Sequence, residues 1–162
     1  MKEKYKIVDN FLPDQIFKEL QNFIMGDYFP WHYNTTVSVK DAKDGWYFTH
    51  EFFNDKLGPS FAFQNIKPIL DILNPTVLLR AKANLYPSSH KLQEHGKHVD
   101  FDFKHKGFLF YINTNNGFTR LNDGTKIKSI ENRALFFNSS LKHNSTNCTD
   151  QQVRVNMNIN YI

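Results

Sequence analysis

The second half of the chain is a series of short segments in which polar and apolar residues alternate. Clusters of Gly, Asn, Asp and Ser separate them, and Asn115-Asn116-Gly117 and Asn122-Asp123-Gly124 are strong tight-turn signals. The alternation predicts strands near 76–86, 97–102, 107–113, 118–122, 125–130, 133–138 and 151–161. So many short strands in succession restrict the fold to a sandwich or a jelly roll.

The first half of the chain carries helical periodicity in two places. One helix is predicted to begin at Pro13 and to end at Gly26, and a second runs from Pro59 to Leu73, kinked or split at Pro68. Extended or turn segments are predicted at Tyr5–Val8, Trp31–Val39, Asp41–Gly45 and Trp46–Phe48. We therefore expect one mainly β domain over 1–162, a jelly-roll core at 76–162 backed by two or three helices in residues 1–75.

Composition narrows the classes of function. A hydrophobic fraction of 40% with 22% charged residues is typical of a soluble globular protein. The net charge of +4 is mildly basic, but the basic residues are scattered, so nucleic-acid binding is permitted without being favoured. Cys148 is the one cysteine, which favours a reducing compartment. The start lacks the apolar run of a signal peptide, and no stretch is long enough to span a bilayer, so we expect a cytoplasmic protein without membrane contact.

Two predicted strands carry polar residues where core residues would be usual. Arg154, Asn156, Asn158 and Asn160 share one face of the last strand, and Arg80, Lys82, Asn84 and Tyr86 share one face of the strand at 77–86. For one such strand taken alone, the polar face is explained equally well by exposure to solvent and by the lining of a cavity. No Lys or Glu follows Arg154, which favours a cavity in which planar donors and acceptors hold one another.

His98-Val99-Asp100 suggests a metal site. On a strand, side chains two residues apart point to the same face, so His98 and Asp100 can ligate one ion. His95 and Asp102 compete for these roles, but spacing favours His98 and Asp100. Two histidines with one carboxylate and open positions suit a non-haem Fe(II) site. The third ligand is left open among the remaining histidines: His32, His50, His90, His95, His105 and His143.

Arg154 follows His143 by 11 residues, on the predicted last strand. A guanidinium there can clamp a carboxylate through two parallel hydrogen bonds. Taken in order, His98, Asp100, His143 and Arg154 resemble the pattern of the Fe(II)/2-oxoglutarate-dependent oxygenases, which have H-x-D, a distal His and an Arg on the last core strand.

The resemblance extends over most of the chain. The segment at 7–12 is similar to the segment that leads into the first helix of prolyl-hydroxylase-like members of the family. Among these members, the chain resembles the small phage proteins most. Asn84-Leu85-Tyr86 and Arg154-Val155-Asn156 resemble the N-x-Y and R-x-N co-substrate contacts of the nucleic-acid demethylases, whose second Arg is absent here. Asn116-Gly117-Phe118-Thr119 stands where prolyl hydroxylases typically have G-G-E-T.

The resemblance implies a double-stranded β-helix that uses Fe(II), 2-oxoglutarate and O2. It implies His98, Asp100 and His143 as metal ligands and Arg154 as the partner of the far carboxylate of 2-oxoglutarate. Further co-substrate contacts are implied at Tyr86, Asn84 and Asn156. Arg80 and Trp46 are candidates for substrate contact. The alternative for Arg80 is a solvated position on the strand, and the alternative for Trp46 is buried packing.

The implied activity is hydroxylation of an organic substrate, with a prolyl or other protein side chain as the first candidate. A nucleic-acid base is the alternative substrate. A third interpretation is a non-enzymatic jelly-roll binding or structural protein. If the chain is phage-encoded, as its look-alikes are, the host cytoplasm is its expected location.

Overall fold

The last strand of the chain lies inside the larger of two antiparallel sheets. A computed structural model describes residues 5–38 and 45–162, and within these the larger sheet has the strand order β1-β9-β6-β10-β5-β3-β2, with β4 paired to β3. The strands are β1 Tyr5–Val8, β2 His32–Asn34, β3 Tyr47–Asn54, β4 Gly58–Pro59, β5 Leu78–Pro87, β6 Lys106–Tyr111, β7 Phe118–Arg120, β8 Lys126–Lys128, β9 Arg133–Phe137 and β10 Val153–Tyr161.

The second layer is built from β7 and β8 together with two irregular segments. Isolated bridges join Arg120 to Asn144, and they join Glu94 and His98 of one segment to Thr146 and His143 of the other. The smaller layer therefore continues through residues 143–146 and 94–98. Two facing antiparallel layers confirm the mainly β, jelly-roll architecture predicted from the sequence.

The alternation of β10 decides which side of the larger sheet is apolar. Val155, Met157 and Ile159 are buried in the hydrophobic core shared with the helices. The polar residues between them are also buried, with exposed fractions of 7% or less: Arg154, Asn156, Asn158 and Asn160. They line the space between the layers, so the cavity interpretation is correct and the solvated-face interpretation is wrong.

Two α-helices and one 3-10 helix cover the apolar side of the larger sheet. They are α1 Asp14–Met25, the 3-10 helix Phe63–Ile66 and α2 Lys67–Leu73. In α1 the helical spacing buries Phe17, Leu20 and Ile24. Pro68 falls in the first turn of α2, where its missing N–H costs no hydrogen bond, and this explains the predicted split. No helix among the described residues has the length and apolarity needed to cross a membrane.

Three predicted segments differ from the structure. The segment at 97–102 is not a strand, since only His98 makes a bridge. Trp46–Phe48 belongs mostly to the eight-residue β3, which forms because β5 supplies a partner for it. The segment at 31–39 is extended only over His32–Asn34, and Val39 and residues 41–44 lie outside the described residues. Residues 1–75 therefore supply strands to the larger sheet as well as helices.

Candidate active site

His98, Asp100 and His143 come together between the two layers. Their potential ligand atoms all lie within 4.8 Å of one another. The Nε2 atom of His98 is 4.0 Å from Asp100 Oδ1, and the Nε2 atom of His143 is 3.8 Å from Asp100 Oδ2. Two ligands on one ion, each bonded at about 2.1 Å, are at most about 4.2 Å apart. Both histidine–Asp100 pairs fall within this limit, and the group as a whole would have to close by no more than about 0.6 Å to share one metal ion.

The backbone orients both imidazoles in the same way. His98 and His143 exchange two backbone hydrogen bonds of 3.0 Å, so the two residues lie directly opposite each other. The Nδ1 atom of His98 is 3.2 Å from the Gly96 carbonyl oxygen, and that of His143 is 3.0 Å from the Leu141 carbonyl oxygen. These carbonyls place the proton of each neutral ring on Nδ1, because a carbonyl only accepts. Each ring therefore has its free lone pair on Nε2, the nitrogen that lies nearest to Asp100.

Asp100 is held by donors from β5 and β10. Its oxygens accept hydrogen bonds from Arg80 Nη2 at 3.0 Å, Asn160 Nδ2 at 2.8 Å and Asn158 Nδ2 at 3.2 Å. The carboxylate is nearly fully buried, with 3% of the side chain exposed. The predicted strand geometry of H-x-D is wrong, because Asp100 lies in irregular backbone. Its direction comes from side chains that arrive from the opposite sheet.

The charges favour a state ready to bind metal. Burial alone would raise the pKa of Asp100, but His143, Arg80 and the hydrogen bond from Asn160 together hold that pKa well below its usual range. Burial and the nearby His143 lower the pKa of His98. At neutral pH the carboxylate is therefore ionised and the His98 imidazole is neutral, as metal ligation requires.

A polar cleft continues from the three ligands into the molecule. Its lining includes Lys82, Tyr86, Asn84, Asn156, Thr119 and Ser145. Asn84 Nδ2 donates to Asn156 Oδ1 at 3.0 Å, whereas the buried Asn84 Oδ1 has no hydrogen-bond partner in the part of the chain that the structure describes. Tyr86 stacks between Tyr47, with ring centroids 5.5 Å apart, and His95, at 5.1 Å. The cleft therefore offers polar groups and one flat aromatic wall.

Arg154 lies directly behind Thr119 and Ser145 and is fully buried. Its guanidinium donates to four neutral oxygens: Ser129 Oγ, Ser145 Oγ, Thr119 Oγ1 and the Thr146 carbonyl. Among the described residues no carboxylate lies within 4.0 Å of it. A buried cation without a counter-ion is costly, so this end of the cleft is suited to an anion.

Gly117 allows this position of Arg154. A Cβ atom at Gly117 would lie 2.5 Å from Arg154 Cδ and 2.5 Å from the Asn147 carbonyl oxygen. Both are far inside van der Waals contact, and the carbonyl belongs to the backbone. The glycine in the Asn116–Thr119 segment therefore lets β7 approach the guanidinium.

The fold is similar to solved structures over almost its whole length. The viral collagen prolyl hydroxylase of Paramecium bursaria Chlorella virus-1, in complex with 2-oxoglutarate, matches 99% of this chain and 98% of its own, with a TM-score of 0.64 and 17% identity. A prolyl hydroxylase from Trichoplax adhaerens, solved with a peptide from the oxygen degradation domain of hypoxia-inducible factor, matches 99% of this chain and 84% of its own, with a TM-score of 0.71 and 17% identity.

The chain has the fold of the Fe(II)/2-oxoglutarate oxygenases. An epimerase of this fold, SnoN from nogalamycin biosynthesis, matches 98% of the chain and 78% of its own at a TM-score of 0.65 and 11% identity. The fold therefore accommodates more than one reaction. No protein-family model matches the sequence, and no curated protein matches it.

Within this oxygenase fold, the histidines other than His98 and His143 lie away from the metal position. His50 is buried beside the Pro30 carbonyl and Ser60 Oγ, His105 is buried with Nδ1 on the Phe103 carbonyl, and His95 stacks on Tyr86. His32 and His90 are exposed. Among the described residues, His98, Asp100 and His143 are the one group with metal-ligand spacing.

Arg80 and Trp46, the two candidates for substrate contact, have different surroundings in the structure. The Arg80 guanidinium binds Asp100 and Asn160 and covers the Phe101 ring, so it is engaged with the metal site rather than solvated. Trp46 is about half exposed, at 49%, and contacts Tyr33 and Phe48. The buried packing considered for Trp46 is wrong, and a contact with substrate stays a prediction.

The structure brings to the site several residues that were not predicted as metal or co-substrate contacts: Tyr47, Lys82, Thr119, Asn158 and Asn160. Asn158 and Asn160 share the polar face of β10 with Asn156, and Lys82 shares that of β5 with Asn84. The alternation placed these three residues on the polar strand faces but did not assign their contacts. Thr119 depends on contacts across the layers, and Tyr47 on the pairing of β3 with β5, neither of which a local pattern encodes.

Proposed function

We propose that the protein is an Fe(II)- and 2-oxoglutarate-dependent dioxygenase that hydroxylates an organic substrate. One observation carries the proposal. A single cleft has two histidines and a carboxylate at one end, and at its other end the lining residues Thr119 and Ser145 accept hydrogen bonds from the buried Arg154 guanidinium, which has no carboxylate within 4.0 Å among the described residues. A 2-oxo dicarboxylic acid has a chelating end and a distant negative charge, so it matches both ends.

The residues fit the two groups that this reaction needs. Two imidazole nitrogens and one carboxylate oxygen, with positions left open, suit Fe(II). His98, Asp100 and His143 would hold the metal. Arg154, with Thr119 and Tyr86 beside it, would hold the far carboxylate of 2-oxoglutarate, and Asn84 and Asn156 lie between the two ends.

Iron and 2-oxoglutarate together would activate O2, with 2-oxoglutarate oxidised to succinate and CO2 and one oxygen atom inserted into a C–H bond of the substrate. The protein's part is positioning and electrostatics. Asp100 stays ionised because Arg80, Asn158 and Asn160 donate to it. The carbonyls of Gly96 and Leu141 keep the Nε2 atoms of the two histidines directed at the site. Leu109 and Phe137 form apolar walls that limit water.

We propose a prolyl or other protein side chain as the hydroxylated group. The two prolyl hydroxylases of similar fold support this substrate class. An aromatic cluster of Tyr33, Trp46 and Phe48 is present on the surface. Trp46 also lines a groove together with Tyr86 and His95, so the cluster lies beside the cleft, where a peptide could pack.

The test is succinate formation from 2-oxoglutarate. The wild-type protein should produce succinate only when Fe(II) and O2 are present, and His98→Ala should reduce the rate at least about 100-fold, because it removes a ligand. His90→Ala, at an exposed position, is the matched control. Equal rates for His98→Ala and the wild type would contradict the proposal.

The substrate class needs a separate measurement. Peptides with and without proline are incubated with the complete system, and mass spectrometry records the addition of one oxygen atom. Methylated oligonucleotides are tested in parallel. Oxidation of the oligonucleotides alone would contradict the protein substrate and support the nucleic-acid alternative.

A further inference from the structure

A second cation, Lys82, faces the cleft at the level of the metal ligands. Lys82 on β5 pairs with Asn158 on β10, and Asn158 donates to Asp100. Arg154 pairs with Tyr86, four residues further along β5. At about 3.3 Å per residue, the two cations start from backbone positions about 13 Å apart. Lys82 therefore marks the metal end of the cleft and Arg154 the far end.

The Lys82 ammonium has little to balance its charge. Its Nζ atom is 3.4 Å from the Tyr47 hydroxyl and 5.7 Å from the centre of the Tyr47 ring. Two carboxylates act on Lys82 from neighbouring elements: Asp100, which already accepts from Arg80, Asn158 and Asn160, and Glu51, which pairs with Lys82 across β3 and β5 and is exposed. Within the described part of the chain, no carboxylate lies within 4.0 Å of Lys82 Nζ. A partly buried ammonium that has no carboxylate in contact is costly.

Two unpaired polar atoms lie on neighbours of Lys82. Within the described residues, the buried amide oxygens of Asn84, two positions along β5, and of Asn158, on the paired position of β10, have no hydrogen-bond partner. Both residues line the cleft with Lys82. Buried polar atoms are rarely left without partners, so this concentration is typical of a place that a polar ligand completes.

We propose that Lys82 binds the carboxylate at the metal-chelating end of 2-oxoglutarate, while Arg154 binds the carboxylate at the other end. The inference rests on the proposed function and adds to it a second charged contact for the co-substrate. A dicarboxylate placed between two cations at opposite ends of one cleft neutralises both.

The electrostatics of Lys82 agree with this role. Burial and the neighbouring Arg80 lower its pKa to about 8, although Asp100 and Glu51 act in the opposite direction. The ammonium is thus present at neutral pH but poorly stabilised. A bound carboxylate would supply the missing interaction.

The test compares two ligands by isothermal titration calorimetry on the Mn(II)-loaded protein, since Mn(II) binds the same kind of ligand set without turnover. One ligand is 2-oxoglutarate. The other is 2-oxovalerate, which keeps the chelating end and lacks the far carboxylate. We expect Lys82→Met to weaken both ligands by the same factor, about tenfold or more. Arg154→Lys should weaken 2-oxoglutarate and leave 2-oxovalerate nearly unchanged.

The matched control is Lys128→Met, which removes the same charge from an exposed position on β8. If Lys82→Met proves unstable by circular dichroism, Lys82→Gln replaces it, because glutamine keeps a polar group beside Tyr47. Unchanged affinity for both ligands would overturn the inference alone. A loss confined to 2-oxoglutarate would also overturn it, because Lys82 would then bind the far carboxylate. Failure of the wild-type protein to bind either ligand would overturn the proposed function and the inference with it.

Discussion

Asn160 donates a 2.8 Å hydrogen bond from Nδ2 to Asp100 Oδ2, linking the last strand to the candidate metal ligand in the opposite layer. Arg80 Nη2 reaches both residues at 3.0 Å, so the three side chains form a closed network. Asp100 lies in irregular backbone, and this network fixes its carboxylate. The larger sheet thereby positions a ligand that belongs to the smaller layer.

Replacing Asn160 with Leu should weaken metal binding about 10- to 100-fold, the usual cost of losing a partner that orients a ligand. Asn122→Leu, in an exposed turn, is the control. The dissociation constant for Mn(II) is measured by electron paramagnetic resonance. Equal Mn(II) affinity in the wild type and Asn160→Leu would mean that the network does not orient Asp100.

Gly117→Ala should weaken 2-oxoglutarate binding about tenfold or more while Mn(II) affinity stays within about twofold, because the new Cβ forces Arg154 or the Asn147 carbonyl to move. Gly58→Ala is the control for backbone effects. Gly58 has a φ of +76° and open space around its Cβ position, so alanine there costs about 1–2 kcal/mol of stability without touching the cleft. Calorimetry on both variants checks this, and equal 2-oxoglutarate affinity in both would count against the anion site.

The polar face of β10 was predictable because one strand contains the whole signal. Arg154, Asn156, Asn158 and Asn160 alternate with Val155, Met157 and Ile159, and the absence of Lys or Glu already favours a lined cavity over solvent. The set of metal ligands was predicted from the resemblance to a known family, and that resemblance depends on the order of the matching residues along the chain.

The local shape of the metal site was not predictable in the same way. His98 and Asp100 were assigned to one strand, yet only His98 makes a bridge, and Asp100 takes its direction from Arg80 and β10. Alternation within 97–102 contains no information about donors some 58–60 residues away. Strand β3 was predicted only at its start, in the extended segment Trp46–Phe48, because its full length depends on its pairing with β5.

Asp100 should contribute to the pH dependence of stability. Its pKa is lower in the folded protein than the value of about 3.9 in the unfolded chain, so its contribution is fully present above pH 4 and is lost as pH falls towards the folded pKa. In metal-free protein, Asp100→Asn should cost about 2 kcal/mol or more at pH 6, since Arg80 loses the carboxylate that it contacts at 3.0 Å.

Urea unfolding of the wild type and Asp100→Asn, with a chelator present, checks this prediction. The difference in the free energy of unfolding should shrink below pH 4. Asp9→Asn, which removes a carboxylate from an exposed pair with Arg133, should have a smaller effect. A difference between wild type and Asp100→Asn that grows as pH falls would contradict the assigned sign.

Binding of 2-oxo acids should weaken as pH rises above about 8, where free Lys82 loses its proton. The other charged or titratable groups that face Lys82 are Arg80, Asp100, Glu51 and Tyr47. The pKa of Asp100 is held well below its usual range, and burial raises the pKa of Tyr47 further above its usual value. Lys82→Arg should bind with little pH dependence between about pH 7 and 9.5, because the guanidinium stays charged. A parallel decline in both proteins would assign the effect to another group.

The most direct test of the iron and 2-oxoglutarate site is an anaerobic absorption spectrum. Addition of Fe(II) and then 2-oxoglutarate to the wild-type protein should produce a visible charge-transfer band, which requires the chelating co-substrate and the metal in one site. The band should be absent in His98→Ala, and Arg154→Lys should require a higher 2-oxoglutarate concentration to reach the same intensity. A silent wild-type spectrum, or a band that survives His98→Ala unchanged, would contradict the account.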